Sequence, residues 1–414
     1  MRPRRTSGGL RKATAGTAAV AALLMAGCSA HPAAVPPAPS TTPSTLATTS
    51  ATASSAPGGA TAPTQPARPR RVTVAMSGDV LIHSGVWESA HADALAEGRK
   101  GMDYRRVIAG MRPVYQHVDL AICHLETPLA KPRGPFLSYP IFSAPPQVVP
   151  ALKWAGIDAC TTASNHSVDQ SFAGIRRSLA DLDAAGIAHA GTATTRRQSR
   201  TPLLMDVGGV SVALLSYTFS TNGLPIPSRR PWSVPLINAS QILSDAHQAR
   251  SEGADIVMVA LHAGNEYQTA PNDQQLRVYD ALTRSPDIDL VYGHHAHVVQ
   301  PFDVIHGTWV AYGLGNFVAQ QLTSQPETYR GVTAEFTFVE QPDGGFQVTR
   351  ARFVPTMITP YSPTTPMRVL DAPAALADPS TDPALRPQLR DVIAHVRADV
   401  FSLGARHDGL RMAH

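Results

Sequence analysis

From Arg71 onward the sequence predicts an α/β fold on three observations. Short apolar runs recur along the chain, segments with helical spacing separate several of them, and polar residues suited to chemistry stand at their ends. In order, the runs read as strands are Val72–Met76, Leu120–Cys123, Ile157–Thr161, Ser211–Tyr217, Ile256–Leu261, Leu290–Tyr292 and Thr308–Tyr312. The segments Phe172–Ala184, Ala239–Arg250 and Asp273–Thr283 place their apolar residues on one helical face. After Asn316, the runs Gly331–Val339 and Phe346–Val354 alternate apolar and polar residues around Asp343-Gly344, which predicts an antiparallel hairpin and hence a mixed sheet or a second one. A last helix is expected over Leu385–Val400, and no internal repeat is present.

The 414 residues, 43% hydrophobic and 16% charged, suffice for one large or two ordinary domains and exclude a wholly disordered or fibrous chain. The fold does not begin at Met1. Arg2, Arg4, Arg5, Arg11 and Lys12 precede an apolar run from Ala13 to Ala26, shorter than the roughly 20 residues of a membrane span. That order belongs to a secretion signal, and its end, Leu24-Met25-Ala26-Gly27-Cys28, resembles the lipobox of bacterial lipoproteins. Residues 1–27 are therefore expected to be a lipoprotein leader, with Cys28 carrying the lipid and the protein held extracytoplasmically on the cell membrane. Residues 28–70, rich in Pro, Ala, Ser and Thr without a hydrophobic period, read as a flexible stalk. The folded domain is expected over 71–360, and 361–414 as a C-terminal extension with a helix.

Removing the five N-terminal cations takes the formal charge from +4 to −1, so a nucleic-acid partner loses its main support. Only Lys12, Lys100, Lys131 and Lys153 are lysines, a bias that fits GC-rich codon usage better than phosphate binding. Cys123 and Cys160 each end an apolar run; two buried thiols are the expectation, with a disulfide the lesser option in an oxidising setting.

In open α/β sheets, sites form at the carboxyl ends of the strands. Here those ends carry Asp79 and His83, then His124 and Glu126, then Asn165, His166 and Asp169, then His262, and last His294, His295 and His297. Each residue has an ordinary explanation alone: a carboxylate can cap a helix, an Asn can serve a turn, and a His can be a satisfied core residue. Five such coincidences on one rim are harder to accept than a shared metal site. Imidazoles with carboxylates, and no Cys-x-x-Cys, suit Mn, Fe or Zn. Two such ions can activate a bridging water for phosphoester hydrolysis, which calls for a bridging carboxylate, with Glu126 the candidate.

The segments Gly78-Asp79-Val80-Leu81, Leu125-Glu126-Thr127-Pro128, Asn165-His166 with Asp169, His262-Ala263-Gly264-Asn265-Glu266-Tyr267, His295-Ala296-His297-Val298-Val299-Gln300 and Tyr312-Gly313-Leu314-Gly315-Asn316-Phe317 together resemble the CapA family of poly-γ-glutamate capsule biosynthesis proteins. The resemblance spans about Val72 to Val354. It implies a metallophosphatase-like fold: a two-sheet α/β sandwich flanked by helices, similar to calcineurin-type phosphoesterases. It places Asp79, with His83 as a further candidate, on a first divalent ion, Glu126 between two ions, and Asn165 and His262 on the second. His295 and His297 complete the pair, leaving His294 outside the ligands. His166 then stabilises charge or protonates the leaving group, oriented by Asp169.

Where the family usually has Asn, Trp and Pro, this chain has His124, Ala263 and Ala296. His124 is thus an extra imidazole that either binds metal or hydrogen-bonds the backbone. Glu126 is longer than the Asp of the phosphoesterases, so the number and spacing of ions stay open. Two function classes follow. One is an exported, lipid-anchored, metal-dependent hydrolase of a phosphoester or amide-like bond in a capsule or envelope polymer. The other is a non-catalytic accessory protein that binds the anionic polymer or its synthase at the membrane.

Overall fold

The computed structural model describes residues 68–413. The expected leader, Cys28 and the expected stalk up to residue 67 lie outside the described residues. The chain first lays down β1 (Arg71–Val80), β2 (Leu120–Leu125), β3 (Ala159–Thr161) and β4 (Ala188–Ala190), with helices between them. β5 (Leu203–Val207) and β6 (Val210–Thr218) form a hairpin, and β7 (Ile256–His262), β8 (Leu290–His294), β9 (Phe302–Ile305) and β10 (Thr308–Ala311) complete a second sheet. The chain then returns to the first sheet through β11 (Asn316–Val318), β12 (Arg330–Glu340), β13 (Phe346–Ile358), β14 (Val369–Asp371) and β15 (Arg411–Met412).

The first sheet runs β14-β13-β12-β1-β2-β3-β4, with β11 joined to β1 and β15 to β13; the second runs β5-β6-β7-β8-β10-β9. Within them, β1 to β4 are mutually parallel, as are β6, β7 and β8, so their carboxyl ends share an edge in each sheet. Alternation along the strands explains the layers. Val72, Val74 and Met76 of β1 and Ile256, Met258 and Ala260 of β7 enter one core between the sheets. Their neighbours point the other way: Ala75 packs under helices including Val148–Ala155 and Ser171–Ala184, and Val257, Val259 and Leu261 pack under Ala239–Ser251 and Asp273–Thr283. The result is the helix-flanked, two-sheet α/β sandwich that the motifs led us to expect.

Every run read as a strand overlaps one, because strands covered on both faces are continuously apolar and stand out in sequence. β1 continues past Met76 through Ser77, Gly78 and Asp79, polar residues that apolar patterning leaves out. β4, β11, β14 and β15 are too short to show a period, and the helix Ser84–Ala96 has small apolar residues spread around its axis. After residue 360 the chain supplies β14 and β15, both paired with β13, and the helix Arg386–Val400 buries Leu389, Val392, Val396 and Val400 in the central core.

The expectation of two free buried thiols is corrected: Cys123 and Cys160 form a disulfide. Parallel pairing of β2 with β3 sets the two residues opposite each other with Cα atoms 4.5 Å apart, within bridging range. Register of this kind is not readable from two positions separated by 37 residues.

Met258, wholly buried between the sheets, tests this packing. Met258→Ala is expected to lower unfolding free energy by about 2–5 kcal/mol in urea titration, whereas the same change at exposed Leu95 is expected to cost well under that.

Candidate metal centre

The ends of β1, β2, β3, β7 and β8 converge on one buried cluster. Glycines make the convergence possible. A Cβ on Gly78 would lie 2.0 Å from the Gly315 carbonyl oxygen, and one on Gly293 2.0 Å from that of Tyr312. Only glycine at both positions lets the Tyr312–Gly315 segment pass against the strand ends that carry Asp79 and His294.

Asp79 is fully buried and meets the last residue of β8 and two residues of the loop after it. The His294 Nδ1–H donates to its Oδ1 at 2.8 Å, the His295 backbone N–H donates to its Oδ2 at 3.1 Å, and His297 Nδ1 lies 3.3 Å from Oδ2. His297 Nδ1–H also donates to Asn316 Oδ1 at 3.0 Å, while the Asn316 amide nitrogen donates to the carbonyls of His297 and Thr328. Those bonds fix which Asn316 atom accepts, and so leave His297 Nε2 pointing inward, 3.9 Å from Glu126 Oε1. His262 Nε2 approaches the same Glu126 oxygen, also at 3.9 Å. Glu126 is 1% exposed, and neither of its carboxylate oxygens has a hydrogen-bond partner.

On the other side of Glu126, His262 Nε2–H donates to Asn165 Oδ1 at 2.9 Å, whose amide nitrogen donates to Asn222. His124 Nε2–H then donates to His262 Nδ1 at 2.9 Å, and the Thr161 hydroxyl donates to His124 Nδ1 at 2.8 Å. This is one consistent set of protons. Of the two alternatives for His124, the backbone contact is not made; its partners are the His262 and Thr161 side chains, and its ring stacks on His294 with centroids 4.1 Å apart. His166 donates from Nδ1 to Asp169 Oδ2 at 2.8 Å, and the same oxygen accepts the Phe142 N–H.

Asp79, Glu126 and His297 form one group whose ligand atoms lie within 4.8 Å of one another; Asp79, His124 and His294 form a second, and Glu266, His295 and His297 a third. His83 joins none of these groups. Its Nδ1 lies 3.2 Å from both the Leu81 carbonyl and the Gln320 N–H, and its ring meets Phe142 edge-on. His294, expected outside the ligands, touches Asp79 directly and has a buried Nε2 without a partner. Sequence reasoning assigned no role to His294, Asn316 or Glu266. The last two stand inside quoted motifs, and that was the available signal.

The fit to a cation rests on these atoms. Both Glu126 oxygens, His294 Nε2 and His295 Nδ1 are buried without partners, which is costly unless something positive or proton-donating meets them. All are nitrogen or oxygen donors suited to a divalent ion of the Mn, Fe or Zn kind. Backbone strain adds to this: His295 (φ 86°) and His297 (φ 57°) both occupy the left-handed region, at about 1–3 kcal/mol each. The cluster is able to hold a divalent metal.

Charge in the cluster is strongly biased. Burial would raise Asp79, but hydrogen bonds from His294 and His297 outweigh it and hold the carboxyl well below the usual range. Burial pushes Glu126 well above that range. Burial lowers His262 and His124 far below an ordinary imidazole and takes His295 to about 3. His297 goes the other way. Burial opposes its charge, yet Glu126 and Asp79 together push it up to about 9.

The profile of the bacterial capsule synthesis protein PGA_cap family matches residues 73–321. The chain belongs to this family. Among similar proteins, the capsule biosynthesis protein CapA of Bacillus anthracis is 28% identical over 63% of this PGA_cap chain and 63% of its own length. The PGA biosynthesis protein CapA of Bacillus subtilis is 29% identical over 49% of this chain and 52% of its own. The match therefore spans less than two thirds of either relative. Among solved structures, a calcineurin-like phosphoesterase of Bacillus subtilis aligns with 80% of this chain and 99% of its own at a TM-score of 0.41 and 14% identity.

The raised His297 gives a signed pH dependence for this PGA_cap chain. Its proton stabilises the fold fully below the ordinary imidazole value of about 6.5, and that stabilisation is lost as pH rises through about 9. Chelator-treated protein is therefore expected to lose thermal stability across that window. Added Mn or Zn is expected to bind more tightly across it, as protons leave the ligand nitrogens, and at about 100 times Kd to raise unfolding free energy by ~2.7 kcal/mol. Calorimetry with and without metal at several pH values measures both trends.

Proposed function

We propose that this chain is an exported, lipid-anchored, metal-dependent hydrolase of the phosphoesterase type, acting in the synthesis or remodelling of a capsule or envelope polymer of the poly-γ-glutamate kind. The observation that carries this reading is Glu126, a buried carboxylate with both oxygens unpartnered and the same oxygen 3.9 Å from His262 and from His297. A carboxylate serving only the core would be paired or hydrogen-bonded.

Asp79, Glu126 and His297 would hold one divalent ion, and Asn165 and His262, sharing Glu126, the other; Mn, Fe and Zn suit these donors. When bound, the ions supply polarisation of the scissile group and an acidified water. The chain's own residues do the rest. Asn316 and Asp79 orient His297, and His124 holds the His262 ring through Nδ1. Asp169 takes the proton side of His166 Nδ1, which directs the opposite ring nitrogen to exchange a proton with the substrate. The names of the relatives, capsule biosynthesis and PGA biosynthesis, support the polymer setting. The Cys123–Cys160 disulfide supports an oxidising location outside the cytoplasm.

Elemental analysis of the purified protein, with a phosphodiester assay on variants, tests the reading. His262→Ala is expected to lose bound metal and turnover together. His166→Ala is expected to keep its metal while kcat falls by about 10²–10⁴-fold. Metal-free wild-type protein, or turnover unchanged in both variants, overturns the assignment.

A further inference from the structure

Five arginines meet in a second, separate groove. Arg350 and Arg352 come from β13, Arg397 from the last turn of the helix Arg386–Val400, Arg406 from the turn after it, and Arg411 from β15. Arg352 is two strands from β1, level with Ala75, which precedes Asp79 by about 13 Å of strand. The groove encloses about 560 Å³, and no Asp or Glu lines it. Glu335, opposite Arg352 on β12, is half-buried and does not line it, though the charges of Arg352 and Arg350 reach it.

Among the described residues, none of the five arginines enters an ion pair. Arg411 donates to the carbonyls of Arg406 and Leu410 at 3.0 and 2.8 Å. Chance explains scattered arginines in a chain so poor in lysine. It explains less well five of them lining one groove with no acid among its lining residues, in a chain whose charge is −1 once the N-terminal cations are set aside. Like charges this close repel, and an anion between them relieves the repulsion.

The shape narrows the partner. Arg350 and Arg352 stand two residues apart on β13, about 6.6–6.8 Å of strand, Arg411 of β15 lies beside Arg352, and Arg397 and Arg406 come from the last helix and the turn after it. Arginines spaced along paired strands match the repeat of an extended anionic chain. Guanidinium forks match carboxylates in geometry and stay charged.

We propose that this groove binds a linear polycarboxylate, gripping successive carboxylates while the buried cluster remains a separate site. The choice of carboxylate over phosphate rests on the polymer reading above; the anionic chain itself rests on the groove.

The test uses the full chain, with fluorescently labelled polyglutamate, polyphosphate of matched length and phosphatidylglycerol vesicles as probes. Polyglutamate is expected to bind and to weaken as salt is raised. The double reversal Arg350→Glu with Arg411→Glu is expected to weaken binding at least about tenfold. Both side chains are exposed and lie outside the buried cluster, so metal content and phosphodiester turnover are expected to stay at wild-type levels. No binding of polyglutamate, equal binding by the reversal variant, or equal binding of polyphosphate or vesicles overturns the proposal. Reversal-sensitive polyglutamate binding by a protein lacking metal or turnover would sink the hydrolase and leave the groove standing.

Discussion

The two sheets are tied at one buried carboxylate. Asp79 ends β1 in the first sheet, and its oxygens receive His294 and His295 from the end of β8 in the second, with His297 close by. A carboxylate moved out of water without such donors would stay protonated or be expelled. The end of β8 and the loop after it supply the donors, so the two sheet edges meet there and hold their imidazoles in place. Everything else in the site is arranged around that contact: His297 is aimed at Glu126, and Glu126 faces His262 and Asn165.

The arrangement runs against the economy of an ordinary core. It buries two carboxylates and several imidazoles, holds His295 and His297 in left-handed backbone, and requires bare backbone at Gly78 and Gly293. Apolar contact between the sheets and on both outer faces opposes those costs. Left-handed backbone at His295 and His297 and unpartnered atoms of Glu126, His294 and His295 meet at the strand ends, while Val72, Met258 and most of their neighbours between the sheets are apolar. Such a division is expected where a scaffold holds a site that is unfavourable until its ligand arrives.

Reading the sequence worked where the physics is local. A strand buried on both faces is continuously apolar over several residues, so β1, β2, β6, β7 and β8 were legible, as was the alternating β12–β13 pair. Motif residues Asp79, Glu126, Asn165, His262, His295 and His297 could be named because each follows such a run. The contact of His294 with Asp79 was not legible, because His-x-His spacing says nothing about which rings face Asp79 across the sheets. Cys123 and Cys160 were misjudged because pairing depends on the β2–β3 register. Arg350, Arg397 and Arg411 gave no signal, since nothing in a chain of scattered arginines marks those that will share a groove.

By itself the sequence determined the α/β class, the order of the strands and the kinds of atoms delivered to their ends, because burial periodicity and strand-end chemistry are written within a few residues. Tertiary structure alone decided the Cys123–Cys160 bond, the unpartnered state of Glu126, the contact of His294 with Asp79 and the gathering of five arginines. Each depends on strand register or on the approach of one sheet to the other, and those are settled by packing among residues far apart in the chain.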